Sequence, residues 1–119
     1  MARALITVPR AARRGELIEI RALVQHPMET GYRRSSDGDL LPRDLIRHFT
    51  CRFVAGADAV VPSNPGAGEV VFAATLHAAV AANPYLAFHL RAATSGTLIF
   101  TWAGDNGFSH REQATLVVT

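Results

Sequence analysis

The chain has 119 residues, 49% of them apolar and 18% charged, a length and composition that give one domain spanning residues 1–119 and exclude disorder. Its formal charge is +2, every one of its 12 basic residues is an arginine, and Arg3, Arg10, Arg13 and Arg14 all precede Glu16, the first acid. The charge thus gathers at one edge rather than along a phosphate-tracking face, so neither nucleic acid nor an anionic membrane surface is expected as a partner.

Taken in chain order, the elements have period two. Residues 5–8 form a short apolar run that Pro9 and Arg10 end. The run is too short for the hydrophobic region of a signal peptide, so the expectation is a chain with no export signal of its own. No stretch reaches the length of a membrane span. Residues 16–24 alternate, with Ile18, Ile20, Ala22 and Val24 on one face and Glu19 and Arg21 on the other, the pattern of a half-buried strand.

Residues 26–42 join this strand to the next by about seventeen residues with two prolines and two glycines. Loops of that length are uncommon unless they bind something. Residues 46–53 alternate again, Phe49, Cys51 and Phe53 against His48, Thr50 and Arg52. The stretch from Pro62 to Gly68 reads as an insertion in a hairpin. Residues 70–76 are a strand, then a turn or one helical turn to Ala82, stopped by Asn83-Pro84. Residues 85–92 alternate Leu86, Phe88 and Leu90 against Ala87, His89 and Arg91, and residues 97–102 alternate Leu98, Phe100 and Trp102 against threonines. Asn106-Gly107 tolerates the positive φ angles of a type I′ hairpin turn, and residues 114–118 supply the last strand. About seven short strands without βαβ alternation give an all-β fold, an immunoglobulin-like antiparallel β-sandwich.

The chemistry-bearing residues do not form a catalytic pattern. Five histidines are scattered without metal-ligand spacing, so no metal or cofactor is expected. Cys51, the one cysteine, excludes an internal disulfide and sits mid-strand between phenylalanines, where a thiol behaves as a small hydrophobe. No G-x-S-x-G elbow supports a serine hydrolase. The segment His26, Pro27, Met28, Glu29, Thr30, Gly31, Tyr32, Arg33 is different. It follows a buried strand, is rich in the Met, Tyr and Arg that interfaces favour, and has no evident duty in a core. It reads either as a solvated loop or as the candidate partner-binding site, and in the second case Met28 and Tyr32 are its expected contacts.

Three segments carry a resemblance to a known family: residues 18–33, ending in H-P-M-E-T-G-Y-R; residues 82–88, A-N-P-Y-L-A-F; and residues 95–102, S-G-T-L-I-F-T-W, with Asp105-Asn106-Gly107 behind. Together they resemble the SoxZ family, the smaller partner in the SoxYZ sulfur carrier of bacterial thiosulfate oxidation. The resemblance implies an immunoglobulin-like sandwich and a role without catalytic residues. It implies SoxY as heterodimer partner, bearing sulfur on a cysteine in a glycine-rich arm, and transient docking on other Sox enzymes. It also implies a periplasmic location, reached with the signal-bearing SoxY. Cys51 does not match the carrier position, which leaves a direct thiol carrier through Cys51 and a SoxZ-like paralogue of another oxidation pathway as alternatives. The stretch from Pro62 to Gly68 departs from the family pattern. A chain of this kind, isolated from its partner, is expected to self-associate through its exposed binding face.

Overall fold

The computed structural model describes residues 3–56, 68–77, 80 and 82–119. Seven strands follow one another: β1 (Ala4–Thr7), β2 (Leu17–Val24), β3 (Ile46–Ala55), β4 (Glu69–Thr75), β5 (Tyr85–Arg91), β6 (Gly96–Gly104) and β7 (Ser109–Leu116). They pair antiparallel into a three-stranded sheet of order β1-β2-β5 and a four-stranded sheet of order β4-β3-β6-β7. This is the predicted sandwich with immunoglobulin-type connections, its fourth strand added beside β3. No helix among the described residues is long and apolar enough to cross a membrane.

Alternation decides what faces inward. In β2 the side chains of Ile18, Ile20, Ala22 and Val24 are buried; in β6 those of Leu98, Phe100 and Trp102 are. Phe49 of β3 is the hub, with ring centroids 5.2 Å from Trp102, 6.1 Å from both Phe72 and Phe88, and 6.3 Å from Phe100. Phe72 and Phe88 stack at 4.2 Å, joining the edge strands β4 and β5 of the two sheets. Burying each such ring contributes roughly 1.5–3 kcal/mol, which makes this aromatic cluster the main bond between the sheets. Cys51 lies fully buried in the same cluster, as its place between Phe49 and Phe53 predicts.

Two predictions need correcting. The last strand begins at Ser109, not Ala114, because the chain turns back immediately: the Phe108 amide donates to the Asp105 carbonyl across Asn106 (φ 59°) and Gly107 (φ 74°). The Asn-Gly turn itself is as expected. The long connection after β2 is not structureless. The Leu41 amide donates to the Arg33 carbonyl and the Ser35 amide to the Asp39 carbonyl, so a small two-stranded ribbon stands within it. The insertion expected at residues 62–67 lies outside the described residues, as do 78–79 and 81 of the expected helical turn.

Candidate functional site

The connections β2–β3, β4–β5 and β6–β7 all emerge at one end of the sandwich, and they hold residues 26–33, Asn83 with Pro84, and Asp105 to Gly107. Hydrogen bonds tie the three together. The His26 amide donates to Asn83 Oδ1 at 2.9 Å, and the Asn83 amide returns a bond to the His26 carbonyl at 2.7 Å. Asn83 takes φ 55° to do so, a conformation asparagine tolerates better than most residues. On the other side Asp105 clasps the end of the long connection. Its amide donates to the Leu45 carbonyl at 2.8 Å, and its Oδ2 accepts from the Leu45 amide at 3.2 Å. Arg47 donates to Oδ1 at 2.9 Å, and the Arg43 guanidinium lies 3.3 Å from Oδ2. The Arg47 hydrogen bond is the main cause holding the Asp105 carboxyl below its ordinary value. Gly104 permits this approach, since a Cβ there would meet the Leu45 carbonyl oxygen at 2.2 Å.

Within residues 26–33 the structure divides what the sequence presents as one surface segment. His26 and Met28 are buried, contrary to the expectation that the core has no use for them. The Met28 amide donates to His26 Nδ1 at 3.0 Å, which places the proton of the neutral ring on Nε2. That nitrogen lies 3.5 Å from Asp44 Oδ1, too far for a good hydrogen bond, and is buried without a hydrogen-bond partner. The ring stands edge-on to Phe108, 4.8 Å between centroids. Met28 takes φ 52° and its sulphur accepts the Ile46 amide at 3.3 Å, so its side chain closes the end of the core. As a partner contact, Met28 is therefore ill placed.

The second half faces out. Glu29 and Asp44 exchange two backbone hydrogen bonds of 2.8 Å, and the Arg33 guanidinium holds the Glu29 carboxyl below its ordinary value. Thr30 Oγ1 accepts the Tyr32 amide at 3.3 Å, shaping the turn. Gly31 takes φ 93° with Arg43 beneath it. The turn delivers Tyr32 to solvent at 87% exposure, with Arg33 exposed next to it and Leu40, opposite Arg34 in the ribbon, exposed as well.

Burial pushes the Cys51 thiol up to about 12, so at neutral pH it is neither a thiolate nor accessible. Among the described residues no three His, Cys, Asp or Glu side chains gather as metal ligands.

The model of the family described as sulphur oxidation protein SoxZ matches residues 6–115. No curated protein matches the sequence. Among solved structures the chain is similar to the superoxide reductase (neelaredoxin) of Ignicoccus hospitalis, with TM-score 0.67 at 14% identity over 98% of this chain and 80% of that one. It is also similar to the reduced superoxide reductase (neelaredoxin) of Archaeoglobus fulgidus, with TM-score 0.54 at 18% identity over 96% and 88%. At such identities the likeness is one of fold alone.

Proposed function

The chain belongs to the sulphur oxidation protein SoxZ family, and on that premise we propose that it is the non-catalytic subunit that binds SoxY to form a carrier of covalently bound sulfur intermediates. The observation that carries this reading is the family match across residues 6–115, and the loop end described above is consistent with a binding role. That end spends its polar groups on fixing loops and presents Tyr32 and Arg33 outward, residue types favoured at interfaces. The sulfur-bearing thiol belongs in this reading to the partner chain. A carrier working through Cys51 would have to expose a fully buried sulphur and ionise it against a pKa of about 12. The same reading puts the pair in the periplasm, this chain crossing the membrane together with SoxY.

Co-expression with the cognate SoxY tests the pairing. A stable one-to-one complex through size-exclusion chromatography is the expected result, and separate elution under gentle conditions overturns it. For location, the chain should be recovered from the periplasmic fraction only when SoxY with its signal is co-expressed; recovery without SoxY refutes joint export.

A further inference from the structure

We propose that the outward face of the three-stranded sheet is a docking surface for a partner protein that is apolar at the centre of its own contact patch and acidic around it. The inference deepens the pairing reading above and rests on it. Seven large hydrophobic side chains are exposed among the described residues, and three of them, Leu5 (65%), Leu17 (58%) and Tyr85 (55%), lie on this one face. Strand register lines them up. Leu5 of β1 pairs with Leu23 of β2, and Leu23 pairs with Tyr85 of β5, so Leu5, Leu23 and Tyr85 form a continuous apolar row across the sheet. The row sits beside the loop end, because β2 runs from Leu23 into His26 and β5 begins at Tyr85 just after Asn83 and Pro84. Leu17, opposite Arg91, marks the far end of the face.

Charge selects the occupant. Arg21 and Arg91 project from the face and Arg3 lies exposed two residues before Leu5, against a single acid, Glu19, which is bonded to Arg21 at 2.6 Å. A second copy of this chain would bring arginines against arginines. A partner with carboxylates around an apolar centre satisfies both the row and its surroundings. The four-stranded sheet offers no such combination, its one exposed large hydrophobic among the described residues being Val70 at the edge.

Calorimetric titration of the cognate SoxY into wild type, Tyr85→Asp, Leu5→Ser and Arg21→Glu tests this. Tyr85→Asp and Leu5→Ser should each weaken binding at least about tenfold, as loss of a central anchor does. Arg21→Glu should weaken it about threefold at low salt and little at high salt. Circular dichroism should show all three folded, since each site is exposed. SoxY binding wild type and both apolar variants equally overturns the docking face while leaving the pairing intact. No binding to wild type overturns the pairing and this proposal with it. Dimers of the isolated chain that Tyr85→Asp abolishes, with SoxY binding that variant as tightly as wild type, would show a second copy to be the occupant, against the proposal.

Discussion

His26 and Met28 differ from Tyr32 and Arg33 in everything except their place in one short segment. The first pair is buried, takes up backbone donors and closes the core; the second pair is held at the surface by a turn and bonds nothing in the core. One contiguous motif thus has two jobs. Its first residues fix the exit of β2 so that its last residues project from a rigid base. Loss of partner binding in a variant of the segment therefore has two physical origins, and stability separates them.

The largest expected effect is on the buried half. Met28→Ala removes a buried thioether and the acceptor of the Ile46 amide and should cost about 2–5 kcal/mol in urea denaturation; a cost near zero would erase the distinction between the halves. Next comes the core beneath it. Cys51→Ser puts a hydroxyl among Phe49, Phe72 and Phe100 and should cost about 1–3 kcal/mol, while alkylation of wild-type Cys51 should stay slow until denaturant is added. Rapid labelling of the folded protein would return Cys51 to the list of reactive groups.

A pH effect should follow from the two depressed carboxyls. Asp105 and Glu29 have folded values below their ordinary 3.8 and 4.5, so each contributes stability that is complete above its ordinary value and lost as pH falls through the lower folded one. Acid unfolding of Asp105→Asn should accordingly be less steep with pH than that of wild type; identical slopes would remove Asp105 from the clasp. The smallest effect on stability belongs to Tyr32→Ala, within about 0.5 kcal/mol of wild type. In the pairing reading it nonetheless weakens SoxY binding, whereas Met28→Ala lowers binding only as far as it lowers the folded fraction.

Most of the strands were legible because burial on one face writes a period of two into Ile18, Ile20, Ala22 and Val24, or into Leu98, Phe100 and Trp102. Asn106-Gly107 was legible because few other pairs accept positive φ at both positions. The burial of His26 and Met28 was not, since it depends on Asn83 and Ile46, residues far along the chain, and on a left-handed Met28 that no local pattern announces. The start of β7 was missed for a related reason: Ser109 to Gln113 is polar and gains its strand character from pairing with β6. Nor does spacing show that Asp105 reaches Leu45 and Arg47, because that bond exists only once two loops meet. The apolar row Leu5, Leu23 and Tyr85 likewise appears only when register is known.

The mutual bonds of His26 with Asn83 and of Asp105 with Leu45 also bear on the entropy of association. Loops that are free in isolation must be immobilised when a partner arrives, and that ordering subtracts from affinity. Here the described parts of the three connections already brace one another, which leaves projecting side chains such as Tyr32 to be ordered. A partner meeting this end of the sandwich encounters a surface organised in advance, and the gain should register in the lifetime of the complex more than in the speed of its formation.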